Sequence, residues 1–289
     1  MTQTAPEIER KLAIVVERMP AFPKSVQKIL EITKNINCTP RELVGIIEKD
    51  PVITLKVLRV VNSAQLSLPN KITSINQSVV YLGVNTIKNL ALSIAAIGIL
   101  PSTNAAGFDI QRYLMHSMTT AAFARQLCIV YAAGEADPGD CYIAGLLHDF
   151  GKIVFAQFMP EQFRQVLARS AETRLPSHHA EQELIGADHT VVGAMLADKW
   201  QFPPALVDSI RSHHSPDAPA TAMNDCLRMA DLISRQLGNG DIEPPYREGE
   251  TPINSERFGT DLDRVVAALG DRDKMIAEAE SFTQAGMSK

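Results

Sequence analysis

Apolar residues recur at three- and four-residue intervals along most of the chain, the spacing of helices with one buried face. Ile8, Leu12, Val15 and Val16 make the first stripe, and Met19-Pro-Ala-Phe-Pro23 interrupts it. A second helix is predicted from about Lys24 to Lys34. Thr39-Pro40-Arg41-Glu42 joins a capping box to a proline at the first helical position, so a third helix begins at Pro40, with Leu43, Ile46 and Ile47 on its apolar face. It stops near Asp50-Pro51, because a residue before proline avoids the helical region. The helix expected next, from about Val52 to Ser63, is apolar nearly all round and so belongs in the middle of a bundle. Asn62 at its end is expected to hold a neighbouring loop. Ser74 or Asn76 caps a helix to Leu82, Gly83 ends it, and another runs from Asn85 to Leu100.

Pro101-Ser-Thr-Asn-Ala-Ala-Gly107 is the strongest break in the chain. After it, helices are predicted over Ile110 to Tyr131, Cys141 to Leu147, Pro160 to Thr173, Ser177 to Ile185, Asp188 to Trp200, Pro203 to His213 and Ala220 to Leu237, the first and last of them long. Trp200 and Phe202, in a proline-rich elbow, are expected to fill core. Past Gly238 the pattern loosens around Pro244-Pro245 and Pro252, then resumes in amphipathic segments from Leu262 to Ser281. No repeat, coiled coil or strand-rich stretch appears. The fold class is therefore all-α, a multi-helix bundle. Its expected divisions are an N-terminal helical lobe (residues 1–105), a second helical lobe (106–237) and a C-terminal extension (238–289).

Composition narrows the setting. With 289 residues, 45% hydrophobic and 21% charged, the chain can bury a sizeable core. A net charge of -5 offers no basic surface, which sets nucleic acid aside as a direct partner. The run from Leu90 to Leu100 is far short of the ~20 apolar residues a membrane span needs. Cys38, Cys128, Cys141 and Cys226 form no close pair in sequence, against a thiolate zinc site or a disulfide framework. A reducing, cytoplasmic location is the expectation.

The candidate chemistry lies in Gly145-Leu-Leu-His-Asp-Phe-Gly-Lys152. An imidazole and a carboxylate side by side can ligate one metal ion, and the carboxylate can bridge two. Lys152, one helical turn after His148, could meet an anionic substrate, and Gly151 leaves room between them. By itself such a dipeptide is usually the end of an ordinary capped, hydrogen-bonded helix. Its company changes the reading: His116 upstream, then His189, His213, His214 and Asp231, each on a different predicted helix except the adjacent pair. A bundle can bring such residues around one cavity. His178-His179, at a helix start, is expected to be solvated.

The order His116, His148-Asp149, Asp231 resembles the HD superfamily of metal-dependent phosphohydrolases, and His189 with His213-His214 resembles its HD-GYP branch. The first half resembles another branch, the HDOD domain (HD-related output domain). That likeness rests on Met19-Pro-Ala-Phe-Pro23, Ile47-Glu-Lys-Asp-Pro51, Leu58-Arg-Val-Val-Asn-Ser-Ala64 and Ile75-Asn-Gln-Ser-Val-Val-Tyr-Leu-Gly83. It continues through Glu183-Leu-Ile-Gly-Ala-Asp-His189, Val192-Gly-Ala194 and Trp200, and covers about residues 15 to 237. The second lobe is thus expected to be HD-like. In HD-GYP enzymes the double histidine leads into Gly-Tyr-Pro, whereas here it leads into Ser215-Pro-Asp-Ala-Pro219.

The resemblance implies a mono- or dinuclear divalent metal (Fe, Mn, Zn or Ni) held by His116, His148, Asp149, His189, His213, His214 and Asp231. Asp149 would be the bridge and Lys152 the residue facing a scissile phosphate. It also implies two functions. One is a bacterial signalling module that binds a partner protein or a phosphorylated nucleotide. The other is a phosphodiesterase, with a cyclic dinucleotide such as cyclic di-GMP as substrate.

Overall fold

The computed structural model describes residues 5–33, 39–63, 71–101, 104–238, 255–259 and 261–287. The expected helix end at Lys34, Cys38, Ala64, Ser102-Thr103 of the expected break and the proline-rich loop around Pro244-Pro245 and Pro252 lie outside the described residues. Among the described residues the fold is all-α, and the one bridge-type pairing joins Ala133 to Ala136. No described helix is long and apolar enough to cross a membrane.

The chain divides into two compact units, Met1–Pro20 with Pro101–Arg272, and Ala21–Leu100 with Asp273–Lys289. The first helix, α1 (Ala5–Arg18), falls inside the expected N-terminal lobe, yet it packs on helices from the second half of the chain. The reason is local: Lys199 Nζ donates to the carbonyls of Val16, Glu17 and Met19 at 2.9, 2.8 and 3.3 Å. Those are among the carbonyls a helix end leaves unpaired, and a cation there also suits the dipole.

Five helices follow: α2 (Lys24–Thr33), α3 (Pro40–Ile47), α4 (Pro51–Val61), α5 (Ile75–Leu82) and α6 (Val84–Ile99). The capping box at Thr39 and Glu42 forms as expected, Asp50 caps α4, and Ser74 rather than Asn76 caps α5. Asn62 does hold a loop: it donates to Leu58 and Ile72 carbonyls and accepts from Ile72 N–H. One expectation fails. Helix α4 is not surrounded, for Val52 and Leu55 are 64% and 68% exposed while Ile53, Val57, Val60 and Val61 are buried. Apolarity all round is a statement about composition, and only one face of this helix has neighbours to meet. The enclosed helix of this unit is α6, whose residues from Ile87 to Ile97 are all buried.

The other unit continues with α7 (Ile110–Tyr131), α8 (Pro138–Leu147), α9 (Phe150–Phe158), α10 (Pro160–Thr173), α11 (Ser177–Leu184), α12 (His189–Lys199), α13 (Pro204–Ser212) and α14 (Ala222–Gln236). Two short helices, α15 (Ser255–Phe258) and α16 (Leu262–Ala268), complete it, while α17 (Arg272–Met287) belongs mainly with α2 to α6. Trp200 and Phe202 are buried, with Trp200 Nε1 donating to Pro20 O at 3.1 Å. The centre of this unit is the packing of α7 against α8 and α14. Cys128, Cys141 and Cys226 are buried free thiols that meet in space although distant in sequence: Cys141 is hydrogen-bonded to both others. The hydrogen bond to Cys226, then burial, pushes the Cys141 thiol far above its ordinary pKa, so it stays protonated.

Candidate metal centre

Three backbone features bring the candidate residues together. Asp137 caps α8 by accepting from Gly139 and Asp140 N–H groups. At the far end of α8, His148 keeps helical angles but Asp149 turns out of them (φ -97°, ψ 6°), and α9 starts afresh at Phe150. The His-Asp pair therefore sits at a break between two helices, not along one. Glycines then let the helices touch. A Cβ on Gly145 would lie 2.7 Å from Ala121 Cα, so α8 crosses α7 backbone to backbone. A Cβ on Gly151 would collide with the His189 carbonyl oxygen, so α9 and the start of α12 meet only because none is present.

The result gathers residues from α7, the α8–α9 break, α12, the end of α13 and α14. His116 and His148 face each other with Nε2 atoms 3.2 Å apart, and His189 and His213 do so at 3.4 Å. Asp149 lies between the pairs and divides its carboxylate. Its Oδ2 is 3.5 Å from His148 Nε2 and 3.6 Å from His116 Nε2. Its Oδ1 is 2.9 Å from His189 Nε2 and 3.8 Å from His213 Nε2. Asp231 Oδ1 closes the first side at 3.3 Å from His116. His214 joins the second side, its ring 5.0 Å from that of His189 and 4.1 Å from that of His213. Two groups could each hold an ion: His116, His148 and Asp149; and Asp149, His189, His213 and His214.

All seven proposed ligand positions are thus in one place. Lys152 is there too, but wholly buried, with Nζ donating to Asp149 Oδ2 at 2.7 Å. Residues three apart on a helical turn are neighbours, so Lys152 pairs with the carboxylate.

Outer partners orient the rings. His148 Nδ1 faces the Gly145 carbonyl at 2.8 Å and His213 Nδ1 the Ile210 carbonyl at 2.7 Å. His189 Nδ1 faces Glu181 Oε2 at 2.7 Å, and His116 Nδ1 faces Ser234 Oγ at 3.0 Å. A carbonyl or carboxylate can only accept, so Nδ1 carries the hydrogen in His148, His189 and His213. Their Nε2 atoms then point into the centre with nothing but a lone pair or an added proton. The facing Nε2 atoms of His189 and His213 can share a proton or a metal ion, and rings anchored from behind at Nδ1 are the ordered outer layer that a metal site uses.

The electrostatics agree. Burial drives the His148 pKa down to about 3, keeping this ring neutral. Burial opposes a charge on His189 too, but Glu181 and Asp149 outweigh it and hold the ring well above the ordinary histidine range. With burial opposing them, both carboxylates are still held low: Asp149 by His148, Lys152 and His189, and Asp231 chiefly by Arg235 and His116. The Arg235 guanidinium stands 3.4 Å from Asp231. His214 is pushed down by burial and by the neighbouring imidazoles.

Glu181 and Ser234 are missing from the candidates read off the sequence. Nothing in the pattern marks them, since a Glu on an amphipathic helix and a Ser beside an apolar run look like ordinary surface residues. His178, expected to be solvated with His179, is half-buried and stacks on His214 at 4.3 Å, whereas His179 is exposed.

An all-helical unit with two histidine pairs around a shared aspartate defines a helical domain whose core could hold metal. The chain belongs to the HDOD domain family, whose sequence profile matches residues 19–216. It is 29% identical over 252 residues to an uncharacterized protein of Treponema pallidum (strain Nichols), covering 86% of this chain and 47% of that protein. The chain thus spans about half the length of that relative. A candidate signal transduction protein from Marinobacter aquaeolei shares the fold with a TM-score of 0.78 at 23% identity, over 96% of this chain and 66% of that one. A candidate phosphohydrolase from Shewanella amazonensis does so with a TM-score of 0.71 at 23% identity, over 95% and 97%. At that identity the two likenesses establish the fold.

Proposed function

We propose that this protein is a signal-transduction module that holds a divalent metal centre and acts by binding a partner protein or a phosphorylated nucleotide. The observation that carries this reading is the enclosure of the centre. His116, His148, Lys152 and His189 are all 0% exposed, and Asp149 is 1% exposed. Of the seven ligand candidates, six are buried and His214 is half-buried, so little of the centre is open to a substrate. Lys152, the cation that would meet a substrate, is engaged by Asp149 instead. The residues that would hold metal are His116, His148, Asp149 and Asp231 on one side, and Asp149, His189, His213 and His214 on the other. The shared signal-transduction description of one fold relative is in keeping with this.

A second reading, a metal-dependent phosphohydrolase acting on a cyclic dinucleotide or another nucleotide, has its own support in the divided carboxylate of Asp149. A two-ion site would supply Lewis-acid activation of a phosphate and of water. In that reading Asp149 would hold metal on both sides, the four anchored imidazoles would complete the two ligand sets, and Lys152 would keep Asp149 ionised and steady charge on the phosphate.

Elemental analysis of the purified protein and of Asp149→Ala tests the metal centre. Metal in the wild type that is lost in the variant supports it, and equal content in both overturns the ligand assignment. Cyclic di-GMP offered to the metal-loaded protein separates the two functions: retention without turnover supports the module, and turnover supports the hydrolase.

A further inference from the structure

Five imidazoles form a continuous file from the surface to the centre. His179 is exposed, and its ring lies 4.2 Å from that of half-buried His178. His178 stacks on His214 at 4.3 Å with the planes 17° apart. His214 has its Nε2 buried without a hydrogen-bond partner and reaches His213 at 4.1 Å and His189 at 5.0 Å. The last two rings face Asp149 Oδ1. Along this line His179 is exposed, His178 and His214 are half-buried, and His213 and His189 are 2% and 0% exposed.

We propose that His179 and His178 are the loading station for the metal centre: they capture a divalent transition-metal ion at the surface and pass it through His214 to the site at His189, His213 and Asp149. This rests on the metal centre proposed above. Three features carry it. The donors at the outer end, His179 and His178, are imidazoles, the ligand class that suits Zn, Fe, Ni and Cu, whereas the centre adds the Asp149 carboxylate. Successive ring centroids lie 4.1 to 5.0 Å apart; a nitrogen binds a metal in its ring plane at about 2.0–2.1 Å, so an ion passes along the file as the rings turn. The His ring torsion χ2 is broad, so the stacked rings can turn their nitrogens toward the ion.

The same helix links capture and anchoring. His178 and His179 occupy the first turn of α11, and Glu181, three residues after His178 on the same face, holds His189 by its backbone N–H and Nδ1. The station is therefore fixed rigidly relative to the innermost ligand.

The test follows uptake of Co2+ by metal-stripped full-length protein in a stopped-flow instrument, reading the visible absorption of the bound ion. Wild type, His179→Ala and the His178→Ala/His179→Ala double variant are compared. His179 is exposed, so its single variant keeps the fold and guards against a misfolded double variant. The expected result is slower uptake, on the order of tenfold in the double variant and less in the single, because capture makes the second step intramolecular. Final stoichiometry should be unchanged. Equal rates in all three proteins overturn the loading station and leave the metal centre standing. Reduced final stoichiometry in the variants also overturns it, since it would make these histidines ligands of the resident ion. No uptake by wild type overturns the metal centre itself.

Discussion

Glu181 Oε2 accepts two hydrogen bonds from His189, one from its backbone N–H and one from Nδ1, each at 2.7 Å, with both side chains wholly buried. The carboxylate fixes the start of α12, selects the ring tautomer and supports positive charge on the ring. Glu181→Gln keeps the shape and removes the charge. Metal affinity should fall by roughly 10- to 100-fold, as for other outer partners of ligating histidines. Competition against a chromophoric chelator measures it, and an unchanged affinity would detach Glu181 from the centre.

Removing Asp149 takes away the carboxylate that lies 2.7 Å from the buried Lys152 ammonium. In metal-free protein, Asp149→Ala should lower stability by about 3–5 kcal/mol, the usual cost of breaking a buried pair. Adding Lys152→Met should recover a substantial part of the loss. Denaturant midpoints of the four proteins in the cycle check this, and strictly additive effects would show that the pair is not coupled.

Gly145→Ala should force α8 away from α7, because the new methyl would meet backbone atoms of Thr120 and Ala121 at 2.7 to 2.9 Å. Overpacking of this kind costs about 1–3 kcal/mol. His116 and His148 should separate with it, so the variant should also take up less metal. Full metal content at wild-type melting temperature would refute the argument.

The metal-free protein should be most stable near neutral pH. His148 has a folded pKa of about 3 against an ordinary 6.5, so between those values the unfolded chain binds a proton that the folded one does not. Stability from this residue is therefore lost as pH falls below 6.5. His189 has the opposite shift, so its contribution is complete below 6.5 and is lost as pH rises through its raised folded value. Melting temperatures across this range should fall on both sides. A monotonic profile would contradict one of the two assignments.

Most of the helices were legible because their causes are local, and the candidate ligands because their order resembles a known family. Thr39 with Glu42, Asp188, and Gly83 act within one turn of chain, so the start of α3, the placement of His189 and the end of α5 could be read from neighbours alone. What depends on packing was not legible. The apolar circumference of α4 concealed an exposed face at Val52 and Leu55. The break at Asp149 has no helix-breaking residue to announce it, since Gly151 comes two positions later. Cys128, Cys141 and Cys226 lie far apart in sequence and meet only because α7, α8 and α14 pack together. Glu181 and Ser234 are recognisable only once the rings they hold have been located.

Ser234 steadies His116 from a point 118 residues further along the chain. During synthesis, His116 and His148 emerge well before the α14 segment that carries both Ser234 and Asp231. Contacts of such long range form late, because loop closure precedes any reward. A nascent chain paused before α14 would present paired imidazoles without the Asp231 carboxylate that completes that side. In the proposed centre, that side is therefore complete only once the α14 segment carrying Asp231 and Ser234 has followed His116 and His148.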